Sequence, residues 1–192
     1  MLRRGPLGCL LIAPILLSVF LVLAAPIAGA DEIMIETFEE QPETRWRFFT
    51  DGVMGGVSQG QASFDREDDR PFARMTGTVS TENNGGFIQI RMDLPPGAAQ
   101  GTSGIRLVAR GNNERYFVHL RTRATLLPWQ YYQQGFEVGP DWAEVELPFD
   151  AFEPSGALLP STPGTGGLKS IGIVAFGRDH EAQIDIRELG FY

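Results

Sequence analysis

The feature that most constrains this chain is a period-two alternation of apolar and polar residues, confined to short runs and repeated along the sequence. Ile88 and Ile90 alternate with Phe87, Gln89 and Arg91. Ile105, Leu107 and Ala109 alternate with Arg106, Val108 and Arg110, and Tyr116, Val118 and Leu120 with Phe117, His119 and Arg121. The same pattern recurs from Trp142 to Phe149 and from Gln183 to Arg187. Successive side chains of a strand point to opposite faces, so each run predicts a strand with one buried and one more polar face. The stretch Ile171 to Phe176 is apolar on both faces and predicts a central strand. Turn clusters separate the runs: Asn83 to Gly86, Pro95 to Gly97, Gly111 to Asn113 and Gly139 to Asp141, with a longer loop from Pro154 to Gly167. No long amphipathic helical stretch stands out after the N-terminal segment. Many short strands with regular turns predict an all-β antiparallel sandwich or jelly roll.

The first 30 residues follow a different logic. Arg3 and Arg4 precede a nearly continuous apolar run from Leu7 to Val22, and Ala28-Gly29-Ala30 forms a small-x-small signal just before Asp31. That order predicts a signal peptide cleaved after Ala30 and an exported domain over residues 31–192, periplasmic or extracellular. An uncleaved anchor is the competing reading, and Pro14, Pro26 and the cleavage signal weigh against it. After cleavage no apolar run approaches the roughly 20 residues a membrane-spanning helix needs.

The charge balance narrows the function. The chain has 24 acidic and 16 basic residues, a formal charge of −8. Losing Arg3 and Arg4 with the leader makes this −10, because the leader holds no acid. Such a protein is not a nucleic-acid backbone binder, which shows a basic stripe. Cys9 is the only cysteine and lies in the leader, so the exported domain has no disulfide and no thiol chemistry. His119 and His180 are the only histidines, which leaves little room for a histidine metal site or a histidine-driven triad. No metal or other cofactor is expected.

The most unusual segment runs from Trp46 through Asp51-Gly52-Val53-Met54-Gly55-Gly56-Val57-Ser58. Its glycines point to demanding backbone geometry, and it lacks the Gly-Lys-Ser/Thr ending of a phosphate loop. This block resembles the signature of the complex I intermediate-associated protein 30 family, a tryptophan followed by Asp-Gly-Val-Met-Gly-Gly-x-Ser. Further matches follow in order. They include Phe72 to Gly77, Asn83 to Phe87 leading to Arg91, Arg110-Gly111, Leu120 to Thr122, Trp142 with Leu147 to Phe149, and Ile171 to Ile173. The resemblance covers about residues 35–192. It implies a galactose-binding-like jelly-roll β-sandwich, in agreement with the alternation. It also implies a non-enzymatic protein, as in the mitochondrial members that help assemble respiratory complex I. The chain departs from the family in carrying Asn112-Asn113 where an aspartate is common, and in its export signal.

Each candidate site residue carries two readings. Asp51 either accepts hydrogen bonds from a ligand's hydroxyls or caps its own turn through nearby backbone N–H groups. Gly52, Gly55, Gly56 and Ser58 serve the same turn or shape a site around it. Met54 either offers an adaptable apolar contact to a partner or plugs the open end of the sandwich. Asn83 and Asn84 form a hairpin turn or join Asp51 at one end of the sandwich. Arg91, Arg106, Arg110, His119 and Arg121 sit on the polar faces of three strands. If those strands are neighbours they form a partly basic stripe suited to anions; otherwise they pair with acids such as Glu144 and Glu146. Trp46, Trp129 and Trp142 stack on sugar rings if exposed and otherwise supply core area; Trp129, in the aromatic run Leu126 to Tyr132, is the best exposed candidate for a partner contact, or else closes the hydrophobic end of the sandwich. The glycine-rich turn also predicts that valine at position 55 or 56 harms the fold more than alanine at position 51.

These residues supply no credible catalytic set. The sequence therefore predicts a non-catalytic exported binding domain that engages a protein partner, such as a subunit of a membrane complex during assembly. The alternative is a carbohydrate or small-ligand binding module of galactose-binding-like type.

Overall fold

The computed structural model describes Met1 and residues 33–192. The expected leader and its expected cleavage site lie outside the described residues. Among the described residues twelve strands follow one another: β1 (Ile33–Glu36), β2 (Trp46–Thr50), β3 (Gln59–Glu67), β4 (Arg70–Val79), β5 (Phe87–Asp93), β6 (Gly104–Gly111), β7 (Arg115–Thr122), β8 (Tyr132–Glu137), β9 (Ala143–Pro148), β10 (Glu153–Pro154), β11 (Leu168–Phe176) and β12 (His180–Phe191). A single α-helical turn, Pro42–Arg45, precedes β2. No helix among the described residues is long and apolar enough to cross a membrane.

The strands form two antiparallel sheets. One has the order β3-β4-β12-β6-β9, with β1 also paired to β12; the other has the order β10-β8-β7-β11-β5-β2. The protein is therefore an all-β jelly-roll sandwich. The alternating runs become β5, β6, β7, β9 and β12, and the doubly apolar run becomes β11, held between β5 and β7. The β3–β4 hairpin is bounded by Asp68 and Asp69, both with positive φ.

The two sheets close on one core. Ile88 and Ile90 of β5, Val118 and Leu120 of β7, and Ile171 and Ile173 of β11 face Ile105 and Leu107 of β6 and Ile184 and Leu189 of β12. Burying each such side chain contributes roughly 1.5–3 kcal/mol, so the core anchors the sheets without disulfides. Trp46 joins it and donates from Nε1 to the buried Glu36 carboxylate at 2.9 Å. Period two then fixes the other face of the second sheet: Phe87, Gln89 and Arg91 of β5, Phe117, His119 and Arg121 of β7, and Val174 and Phe176 of β11 point away from the core.

Candidate functional site

The outer face of the second sheet carries an open groove of about 620 Å³. Register places its floor in rows. Phe49 of β2 pairs with Gln89, which pairs with Val174, which pairs with Phe117. One step along, Arg47 pairs with Arg91, Arg91 with Gly172, Gly172 with His119, and His119 with Gln133. Gly172 leaves the middle of that row without a side chain. A Cβ there would meet Gln89 Oε1 at 3.2 Å and the Ile90 carbonyl at 3.4 Å.

Two loops raise the walls. The 3-10 turn Asp51–Met54 presents Val53 and Met54, which are 72% and 65% exposed. The β7–β8 loop presents Trp129, 67% exposed, with Pro128 and Tyr131. That second loop is tied down: Arg121 Nη2 donates to the Leu127 carbonyl at 3.0 Å, and Gln130 Oε1 accepts from the Leu126 and Leu127 N–H groups at 2.8 and 2.9 Å. The Tyr131 N–H donates to Ser155 Oγ at 3.0 Å. Trp129 is therefore held out by structure rather than left on a loose tip.

The aromatic wall is ordered in the same way. The His119 ring stacks on Tyr131, with centroids 4.1 Å apart and planes 9° apart, and Phe176 meets both rings edge-on. Burial drives the His119 imidazole down to about 4, and its cross-strand neighbour Gln133 offsets this only in part. His119 is thus neutral near pH 7. The Arg91 guanidinium lies over the Phe49 ring, 4.6 Å from its centroid, and its Nε is buried without a hydrogen-bond partner. Burial lowers its pKa, Asp93 opposes the fall, and the Arg121 and Arg47 charges add to it; the group stays a cation.

The candidate residues fall into three places. Met54, Arg91, His119, Arg121 and Trp129 meet in the groove. Arg106 and Arg110 lie on β6 in the opposite sheet, so the five polar-face residues do not form one stripe. Arg106 pairs with Glu144 and Glu188, and Arg110 with Asp185 and Glu67. Arg110 also lies over Trp142, as does Arg187.

Asp51, Gly52, Gly55, Gly56, Ser58, Asn83 and Asn84 sit behind the rim rather than in the groove. Asp51 is fully buried. Its carboxylate accepts from Ser58 N at 3.0 Å, Gly86 N at 2.6 Å and Phe87 N at 3.3 Å, and from the Ser58 hydroxyl. Burial alone would raise its pKa; the Ser58 hydroxyl and the Gly86, Phe87 and Ser58 N–H groups together hold it below the ordinary value. A Cβ on Gly56 would lie 2.3 Å from Asp51 Cγ, and one on Gly85 2.4 Å from Oδ2, so glycine at both positions lets the backbone wrap the carboxylate. Asn83 and Asn84 supply left-handed backbone, with φ of 56° and 58°, in the connection from β4 to β5. That connection passes from one sheet to the other, so it is a crossover and not a hairpin.

Sequence reasoning did not single out Phe49, Val53, Gln89, Tyr131, Ser155, Val174 or Phe176 as groove residues. Alternation placed Gln89 on an outward face but gave no reason to choose it, and Ser155 comes from a loop whose approach depends on the fold. Among the described residues no cluster of three or more His, Cys, Asp or Glu side chains is placed to hold a metal ion.

Comparison with solved structures shows the same architecture. The family 11 carbohydrate-binding module of the cellulosomal cellulase Lic26A-Cel5E of Clostridium thermocellum superposes with a TM-score of 0.68 at 13% identity, over 85% of this chain and 95% of that one. A family 11 module from the same organism, in complex with a β-1,3-1,4-mixed-linked tetrasaccharide, gives 0.67 at 13% identity over 85% and 96%. An exo-β-agarase gives 0.54 at 7% identity, over 83% of this chain and 25% of that one. At such identities the likeness is one of fold. No curated protein matches the sequence. The family model described as complex I intermediate-associated protein 30 matches residues 36–186. That span takes in the Asp51 turn, the crossover it grips and nearly every strand of both sheets, and the chain accordingly belongs to the complex I intermediate-associated protein 30 family.

Proposed function

We propose that this protein is a non-catalytic, exported binding domain that engages a segment of a protein partner during assembly of a larger complex, and that the groove is where it does so. One observation carries the reading: two ordered loops hold Val53, Met54 and Trp129 exposed on either side of a groove with an aromatic floor. Exposed apolar side chains concentrated at one concavity mark interaction surfaces, and methionine and tryptophan are suited to adaptable or anchoring contacts. Family membership supports an assembly role, and the leader's charge, apolar run and small-residue signal support export.

The test is site-specific photocrosslinking in cells of the native source. A crosslinker at Met54 is expected to trap a discrete partner that one at Arg70, exposed on the opposite sheet, does not trap. Identical products from both positions, or none from Met54, reject the reading.

A second reading is favoured by the stacked His119–Tyr131 pair beside Trp129, Gln89 and Arg121, an arrangement of ring faces and hydrogen-bonding groups that suits a saccharide. The carbohydrate-binding modules that share the fold support it. A melting-temperature panel of neutral and acidic oligosaccharides tests it; a shift abolished by Trp129→Ala would favour a glycan over a protein.

A further inference from the structure

The groove has a charge character that its shape alone does not explain. In a protein of net charge −8, none of the residues lining it is an aspartate or glutamate, while Arg91 and Arg121 both are lining residues. Elsewhere the partly buried arginines meet acids: Arg74 and Arg110 share Asp185, Arg106 reaches Glu144 and Glu188, and Arg45 holds Glu36. Arg91 differs. Among the described residues it makes no hydrogen bond or ion pair, although its Nε is buried. The nearest candidate, Asp93, is two-thirds exposed and is taken by Arg47. A guanidinium whose Nε is shut off from water and whose nearest acid is already paired is under-compensated. Its planar fork matches a carboxylate through paired donors, and side-chain-free Gly172 leaves space next to it in the row.

Resting on the reading of the groove as a protein-binding site, we infer that the partner segment places a carboxylate on Arg91, flanked by apolar side chains that pack against Trp129 on one side and Val53 and Met54 on the other. Arg121 also lines the groove and, among the described residues, has no ion pair, but its Nη2 is held by the Leu127 carbonyl, which leaves Arg91 as the guanidinium whose fork is open to a carboxylate. Saccharide hydroxyls are donors as well as acceptors and need acceptor groups. The groove offers them no carboxylate, only the Gln89 amide oxygen and the neutral His119 ring, and Ser155 Oγ is already engaged with Tyr131 N and the Trp129 carbonyl. The apolar rim and the free cation together specify an acidic residue within an apolar stretch of polypeptide.

A displayed library of random peptides, selected against the purified protein and resynthesised with blocked ends, tests this. The enriched peptides are expected to carry a central Asp or Glu between apolar residues. Replacing that acid with its amide should weaken binding by about tenfold or more, and Arg91→Gln should weaken the parent peptide equally, with little further loss when the two changes are combined. Arg91→Lys, which keeps the charge and loses the fork, should fall between. Melting curves confirm that each variant is folded. If amide peptides bind as tightly as acidic ones, if Arg91→Gln has no effect, or if phosphopeptides bind more tightly, the carboxylate inference is wrong while the protein-partner reading stands. If no peptide binds but oligoglucuronate or a mixed-linked tetrasaccharide does, both are wrong.

Discussion

Asp51 accepts a hydrogen bond from the backbone N–H of Gly86 at 2.6 Å, across 35 positions of sequence and between a turn that follows one strand and a crossover that precedes another. The same carboxylate holds Ser58, and Ser58 Oγ in turn accepts from Ser80 N at 3.0 Å. One side chain thus fastens the rim turn that bears Val53 and Met54 to the crossover that carries the chain into the second sheet.

Asp51→Ala should therefore be severely destabilising. It strands the Gly86, Phe87 and Ser58 N–H groups, and losing charged hydrogen bonds on this scale costs roughly 3 kcal/mol or more, which for a domain of this size lowers the melting temperature by on the order of 10 °C. The sequence expectation that valine at position 55 or 56 would be worse gains a physical cause at each position: Gly56→Val collides with Asp51, and Gly55, with open space around it, has a φ of 91° that a branched side chain adopts only under strain. Thermal melts of Asp51→Ala, Gly55→Val and Gly56→Val decide this. Since the folded carboxyl lies below its ordinary pKa, its contribution is present above about pH 4 and is lost as pH falls below that value. Asp51→Asn should lose this acid dependence.

His119 predicts a second pH effect in a different window. Its folded pKa, about 4, lies below the ordinary value of 6.5, so protonation favours the unfolded chain. Its contribution is complete above about pH 6.5 and declines as pH falls toward 4. Urea denaturation across this range should show the decline in the wild type and a flatter profile in His119→Phe. An imidazole titrating near pH 6.5 by NMR would contradict the burial seen beside Tyr131.

Arg110 separates the two sheets experimentally. It donates from Nε to Asp185 at 2.8 Å, and Arg74 grips the same buried carboxylate through two bonds of 2.7 Å. Breaking such a pair leaves a buried charge under-compensated, so Arg110→Gln should cost about 3 kcal/mol. Because Arg110 is on the opposite sheet from the groove, ligand affinity of the folded fraction should be unchanged. A loss of affinity matching that of Arg91→Gln would mean that the binding surface extends over both sheets.

Trp129 predicts the converse. Its side chain is largely exposed, so Trp129→Ala should shift stability by no more than about 0.5 kcal/mol and weaken groove binding by about tenfold or more. Gly172→Leu should weaken groove binding from the floor by filling the row between Arg91 and His119, and its close contacts with Gln89 Oε1 and the Ile90 carbonyl should also cost stability. Calorimetric binding with either variant beside its melting curve checks both.

The strands were legible because period two is written directly into residues such as Ile88, Ile90, Leu107 and Val118, and because the doubly apolar run of β11 has one simple explanation. Strand order was not legible: β5 and β7 share the groove only because β11, contributed much later in the chain, lies between them. For the same reason Arg106 and Arg110, which follow the same pattern as Arg91 and Arg121, ended up on the other sheet. Asp51 was ambiguous in sequence because a buried carboxylate capping backbone N–H groups and an exposed one awaiting a ligand use identical residues. Only its burial and the glycines packed around it separate the two.

The way Asp51, Gly56, Gly85 and Ser58 enclose one another divides the labour between side chains. These residues hold the rim in place and do not themselves line the groove. Arg91, Trp129, Met54 and Gly172 stand outside that enclosure, on strand faces and loops, and make no bond to the Asp51 carboxylate. Support of the groove and its lining are thus assigned to different side chains, so a substitution in one set can be read separately from a substitution in the other.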